Sequence, residues 1–206
     1  MCSSMFGAIG LQSNIIVISA PSGAGKSAII NGLIKKDNET TAYSISYTTR
    51  TPRKGEKNGK NYFFIRKSKF KEMINKKMFA EWAKVHNNYY GTSKVLLNKL
   101  LHFYKNVLLE IDVKGGIKIK RLYPNTCMIF VMTPNFRTLK ERLIIRNKDC
   151  LDTINIRLNN AKEELKSLKK YEYLIINRKL SNAINSVRTI IKSLDYKIKN
   201  KKNYFF

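Results

Sequence analysis

The chain has 206 residues, 43% hydrophobic and 11% aromatic, with four prolines, which is enough for one substantial core and excludes disordered and collagen-like classes. Lys+Arg 40 against Asp+Glu 14 gives a formal charge of +26, which points to an anionic partner or substrate: nucleotide, nucleic acid or membrane surface. The make-up of that charge, 30 Lys to 10 Arg with 21 Asn and 24 Ile, is that of A/T-rich codons, so compositional drift is favoured over nucleic-acid binding.

The run Ile15 to Ala20 is short, β-branched and followed by Pro-Ser-Gly, which predicts a buried parallel strand ending in a loop. A helix is predicted from about Lys26, with Ala28, Ile29, Leu33 and Ile34 on its apolar face, stopping at the polar stretch Lys35 to Thr40. From Ser44 to Tyr90 the texture changes to a small insert, with a strand over Tyr62 to Ile65 and a short helix marked by Phe70, Met73 and Ile74. After Gly91, strand and helix alternate again. Leu96, Leu97, Leu100 and Leu101 mark a helix, Val107 to Ile111 a strand, Ile117 to Leu122 a helix, and Cys127 to Met132 a strand. Leu139 and Leu143, with Ile144 beside them, line a helix that runs into a charged loop over Arg146 to Asp152. Ile154, Leu158, Ala161, Leu165 and Leu168 repeat at helical spacing before the strand Tyr173 to Ile176. The last helix carries Ala183, Ile184, Val187, Ile190, Ile191 and Leu194 on one face, and the Lys-rich end, Lys197 to Phe206, reads as a frayed tail. Strands separated by helices imply an α/β fold, a parallel sheet covered on both faces.

Three cysteines, Cys2, Cys127 and Cys150, are odd in number and far apart, and His86 and His102 stand away from them. Neither a disulfide framework nor a structural zinc is expected, and a reducing compartment fits. The opening MCSSMFGAIGLQSN has no basic segment and no long apolar run, so a soluble cytoplasmic protein without membrane association is expected.

Ala20-Pro21-Ser22-Gly23-Ala24-Gly25-Lys26-Ser27 follows a predicted strand and opens a predicted helix, the context that a phosphate-binding loop requires. Gly23 and Gly25 allow the backbone N–H groups to turn inward around phosphate oxygens at a helix N-terminus. Lys26 supplies a point charge for β- and γ-phosphates, and the Ser27 hydroxyl is placed to ligate Mg²⁺. The general pattern begins with Gly, where this chain has the small residue Ala20.

The insert carries Ser44-Ile-Ser-Tyr-Thr-Thr-Arg-Thr-Pro-Arg53, Gly55-Glu-Lys-Asn-Gly59 and Tyr62, then Glu81-Trp82 and Asn88-Tyr-Tyr-Gly-Thr92. Together with Glu110-Ile-Asp112 and the Arg142 to Arg157 region, these motifs in this order resemble the guanylate kinase family, in its bacterial form, over about residues 14 to 195. The resemblance implies a P-loop nucleoside monophosphate kinase with an α/β core holding ATP (14–43 and 93–195), a mainly-β insert holding GMP (44–92), a mobile helical lid (about 142–160) and a basic tail (196–206). It implies ATP and GMP as substrates with Mg²⁺, and leaves the oligomeric state open.

Arg50 and Arg53 lie three apart around Pro52, so two guanidinium forks can converge on one phosphate, although alone they would read as a solvated basic turn. By resemblance, the Tyr62 and Tyr90 hydroxyls join them on that phosphate. Guanine offers N1–H and N2–H₂ donors to one carboxylate, and Glu81 matches the family position for that task. Ser46 and Thr92 match positions that serve the remaining polar edge of the base. Glu110 and Asp112 end a predicted strand on one face, at the sheet edge where open α/β folds bind ligands. Their family positions serve the nucleotide base or the water shell of the metal, and a buried salt bridge is the bland reading. Arg142, Arg146 and Arg157 match the lid cations that close over the transferring group.

The lid departs furthest from the family pattern. Arg146-Asn147 replaces the usual Arg-Gly, Ile145 replaces a common Gly, and Lys114 stands where Gln is usual. Asn tolerates positive φ, so Asn147 is expected to keep the turn. The rival readings are a guanylate-kinase-like domain that binds protein partners without catalysis, a sugar-phosphate kinase on the same scaffold, and an RNA-binding protein.

Overall fold

A computed structural model describes residues 13–85, 87–147 and 151–197. Its first sheet has five parallel strands, β1 (Asn14–Ser19), β2 (Thr41–Ser44), β7 (Asn106–Glu110), β8 (Cys127–Met132) and β9 (Tyr173–Ile176), in the order β2-β7-β1-β8-β9. Its second has four, β3 (Tyr47–Thr48), β4 (Phe63–Phe64), β5 (Phe79–Val85) and β6 (Asn88–Ser93), in the order β4-β3-β6-β5. The helices are α1 (Lys26–Lys36), α2 (Lys67–Asn75), α3 (Lys94–Phe103), α4 (Val113–Leu122), α5 (Phe136–Asn147), α6 (Leu151–Leu165) and α7 (Leu180–Ser193).

Period-two alternation along β1 splits the core. Ile16 and Ile18 face Ile29 and Leu33 of α1 and Ile184 and Val187 of α7, whereas Ile15 and Val17 face Leu97 of α3 and Ile119 of α4. Both faces are thereby covered, as an all-parallel sheet requires. The insert has its own small core, in which Phe70 and Met73 of α2 pack on Phe79, with the Phe70 and Phe79 rings stacked 4.5 Å apart. Among the described residues no helix is long and apolar enough to cross a membrane.

Several expectations need correction. β2 is a strand of the main sheet running to Ser44, and β5 and β6 form the longest pairing of the insert although their texture is mixed and polar. Of the expected loop over Arg146 to Asp152, the described residues are helical: Arg146 and Asn147 end α5, and Leu151 and Asp152 begin α6. Asn147 is therefore helical, and the positive-φ non-glycine residues among those described are Lys77 and Asn87. Ile144 is 46% exposed rather than part of the core. The helical repeat over Ile154 to Leu168 breaks after Leu165, with Leu168 opening a separate 3₁₀ turn. Lys197 follows the 3₁₀ turn Leu194–Tyr196, and its backbone N–H donates to the Leu194 carbonyl. Cys127 is a buried free thiol; Cys2, Cys150, His86 and residues 198–206 lie outside the described residues.

Candidate active site

The C-terminal edge of the main sheet opens into a cleft of about 270 Å³ between the core, the insert and α6, where open parallel sheets bind ligands. β1 delivers the phosphate loop to it. Gly23 (φ +91) and Gly25 (φ +94) take left-handed backbone there, which a side chain would strain, and Gly25 caps α1. Ala20, Pro21, Ser22, Lys26 and Ser27 line the cleft with these glycines. Ala24 is fully buried instead, and its carbonyl accepts Asn177 Nδ2 at 2.8 Å. A Cβ on Gly25 would collide with that same Asn177 amide. Asn177, just past β9, thus clamps the loop from behind, and its own carbonyl accepts the Arg142 guanidinium at 3.0 Å. Arg142 is accordingly turned onto this brace rather than onto the cleft wall.

Lys26 Nζ reaches the Ile111 carbonyl at 3.5 Å, and Ser27 Oγ donates to Glu110 Oε1 at 2.6 Å. The Tyr43 hydroxyl of β2 reaches the other Glu110 oxygen at 3.3 Å. Glu110 ends β7 as expected, but Asp112 lies beyond the strand: it caps α4, accepting from the Gly115 N–H at 2.7 Å. Both carboxylates line the cleft.

Across the cleft the insert presents Ser46, Arg53, Tyr62, Glu81 and Tyr90. Glu81 is 5% exposed, Ser46 4% and Thr92 1%. Thr92 stands behind Glu81 and donates to its Oε1 at 2.7 Å. Gly115 leaves room for the other oxygen, since a Cβ there would lie 2.7 Å from Glu81 Oε2. Burial, with the Asp112 charge adding to it, pushes the Glu81 carboxyl up to about 7 against the Thr92 hydrogen bond. The Tyr62 and Tyr90 rings meet edge to face at 6.0 Å, and burial, then the Glu110 charge, raise the Tyr62 phenol above its ordinary value.

Arg50 does not line the cleft. Its guanidinium is 5.5 Å from the Tyr62 ring centroid and is held by Glu56, whose oxygens lie 2.9 and 3.0 Å from Nη2. Glu56 also accepts the Arg53 backbone N–H at 2.8 Å, so one carboxylate ties both arginines of the turn together. Arg157 of α6 lines the cleft; Arg146 belongs to the last residues of α5, and its side chain lies outside the described residues.

Four residues of this constellation, Glu56, Tyr43, Asn177 and Glu164, were not singled out from sequence. Glu56, within Gly55-Glu-Lys-Asn-Gly59, carries a signal, being one of only 14 acids and next to the arginine turn. Glu164, seven residues after Arg157, shares its helix face and was legible in the same way. Asn177 and Tyr43 act through contacts 153 and 67 residues distant, for which no local pattern exists.

The family model described as guanylate kinase matches residues 12–194. The chain is 44% identical over 186 residues to the guanylate kinase of Helicobacter pylori (strain ATCC 700392 / 26695), covering 90% of each chain. It is 41% identical over 189 residues to that of Clostridioides difficile (strain 630), covering 92% of each. The crystal structure of guanylate kinase from Anaplasma phagocytophilum superposes with a TM-score of 0.75 at 27% identity, over 90% of this chain and 87% of that one.

Proposed function

The chain belongs to the guanylate kinase family and is a nucleoside monophosphate kinase, and we propose that it transfers the γ-phosphoryl group of MgATP to the 5′-phosphate of GMP, giving ADP and GDP. One observation carries the choice of acceptor: Glu81, buried across the cleft from the phosphate loop, with one oxygen taken by Thr92. Its second oxygen is left for a base that brings donors. Guanine brings N1–H and N2–H₂ on one edge, whereas adenine presents an acceptor at N1, so an ionised Glu81 favours the first and repels the second.

In this reading the core, 14–43 and 93–195, holds ATP, the insert, 44–92, holds GMP, and about 142–160 forms the lid, with 196–206 as a tail. The loop N–H groups and Lys26 take the donor phosphates. Arg53, Tyr62 and Tyr90 bind the acceptor phosphate, with Arg50 joining from its Glu56 seat. Arg157 neutralises charge on the group in flight, with Arg146 beside it as a cation of the lid, and Arg142 joins them only by leaving the Asn177 carbonyl. The protein forms no covalent intermediate, because positioning and charge neutralisation suffice for phosphoryl transfer.

The donor set suits magnesium. Ser27, Glu110 and Asp112 offer hard oxygens to the cleft, and no group of three or more His, Cys, Asp or Glu able to hold a metal occurs among the described residues. That is the pattern of an ion bound mainly through substrate phosphates and water. Ser27 would ligate it and Glu110 and Asp112 would hold its water shell; when bound, it neutralises charge on the phosphate oxygens. The buried free thiol of Cys127 fits a reducing, cytoplasmic setting.

The test is ADP release from MgATP with GMP, AMP, UMP and CMP offered in turn. GMP alone should stimulate release strongly; equal rates with all four would overturn the guanine assignment, and no stimulation by any would favour the noncatalytic domain.

A further inference from the structure

β5 is an edge strand of the second sheet, and it meets α4 of the core with three successive residues. Ala80 is buried in the same apolar cluster as Ile111 and Ile119. The Glu81 carboxylate lies against Gly115, where a Cβ would come within 2.7 Å of Oε2. The Trp82 carbonyl accepts Lys118 Nζ at 2.7 Å, and the same ammonium stands 5.4 Å from the centroid of the Trp82 ring, within the range of a cation–π contact. Gly115 and Lys118 are three apart on one helix and so share a face. An edge strand presents backbone groups that need partners, and Lys118 supplies one from the core. Lys118 is exposed and stands outside the wall of the cleft. Burial and the Asp112 charge hold the Glu81 carboxyl up, and the Thr92 hydrogen bond and the Lys118 charge work against them.

Resting on the base-reading role proposed for Glu81, we infer that Lys118 is a positioning residue for that carboxylate, tying β5 to α4 through the Trp82 carbonyl and ring one residue beyond it. A carboxylate reads two donors on one base edge only when its distance and plane are fixed by its supports. Thr92 fixes the Glu81 side chain from within the insert, since β5 and β6 are paired and Glu81 lies opposite Thr92. Lys118 instead fixes the strand relative to the core, on the helix that begins just after Glu110 and is capped by Asp112. Lys118 acts through β5 and touches neither nucleotide, so its influence falls on the acceptor and not on ATP.

The experiment compares wild type with Lys118→Met, which keeps the stem and removes the donors and charge, and with Lys118→Arg, which keeps a charged donor and the ring contact. Lys118→Met should raise KM for GMP about three- to tenfold, the scale of one solvated charge-assisted contact with a cation–π component. Its kcat and KM for ATP should change by less than about twofold. Lys118→Arg should return KM for GMP to within about twofold of wild type. In a Glu81→Gln background, Lys118→Met should change kcat/KM for GMP by less than about twofold. Trp82 is the single tryptophan of the chain, so acrylamide quenching of its emission reads the contact without turnover, and should increase in Lys118→Met but not in Lys118→Arg. Unchanged quenching or unchanged KM for GMP in Lys118→Met, an equal rise in both KM values, an equal loss in the Glu81→Gln background, or no recovery in Lys118→Arg would each overturn the inference. Glu81→Gln alone tests the underlying reading separately: an unchanged GMP-to-AMP ratio there overturns the base-reading role, whereas a changed ratio with wild-type KM for GMP in Lys118→Met overturns the positioning role alone.

Discussion

The Thr92 hydroxyl donates to Glu81 Oε1 at 2.7 Å, with both residues almost wholly buried. This contact fixes the carboxylate rotamer and leaves Oε2 on the side of the α4 N-terminus, where Gly115 makes room. Glu81→Gln replaces an acceptor by an amide donor that faces guanine's own donors. It should lower kcat/KM for GMP steeply, by up to about 10³-fold, and narrow the GMP-to-AMP ratio with little change for ATP. Steady-state ADP release with each nucleotide measures this; an unchanged ratio would show that Glu81 does not read the base.

Because burial holds Glu81 at about 7, the base-reading anion is depleted below neutrality. KM for GMP should rise about tenfold between pH 8 and pH 6, and this component should vanish in Glu81→Gln. Comparing the two pH profiles separates it from the titration of GMP's own phosphate.

The same shift bears on stability. The folded-state pKa of Glu81 lies above the unfolded carboxylate value, so its stabilising contribution is complete below about pH 4 and is lost as the pH rises through about 7. Glu81→Gln should therefore gain Tm relative to wild type between pH 5 and pH 8, by on the order of 5–10 °C, as read by thermal unfolding at each pH.

The acceptor side should respond to Glu56 as well as to the arginines. Glu56→Gln weakens the fork on Arg50 and the bond to the Arg53 N–H, so KM for GMP should rise about three- to tenfold with KM for ATP nearly constant. Arg50→Ala or Arg53→Ala should have larger effects in the same direction. Equal effects on both substrates would assign these residues to the fold or the lid.

On the donor side, Lys26→Ala should reduce kcat by about a hundredfold or more with folding intact, comparable with losing one preorganised electrostatic donor. Asn177→Ala should act differently. It removes the buried bond to the Ala24 carbonyl and should cost about 1–3 kcal/mol of stability while raising KM for ATP rather than for GMP. Chemical denaturation and initial-rate kinetics distinguish the two variants.

What the sequence determined by itself was local or repetitive. The β-branched run before Pro21, the glycines and the Lys26-Ser27 ending specify strand, loop and helix within a short stretch, because left-handed glycine backbone and a helix N-terminus are local properties. The alternation of buried strands with amphipathic helices likewise required the parallel sheet. Tertiary structure decided the rest through pairing across distance. Thr41–Ser44 becomes a strand only by lying along Asn106 to Leu109, and the polar segments of β5 and β6 hold their register by pairing with each other. Asp112 leaves the strand because the Gly115 N–H offers its carboxylate a cap, and Arg142 turns to the Asn177 carbonyl, 35 residues on. Local propensity is weak where a segment has one good distant partner, so the orientation of Arg142 and the reach of Lys118 to the Trp82 carbonyl became visible only once the chain had folded around them.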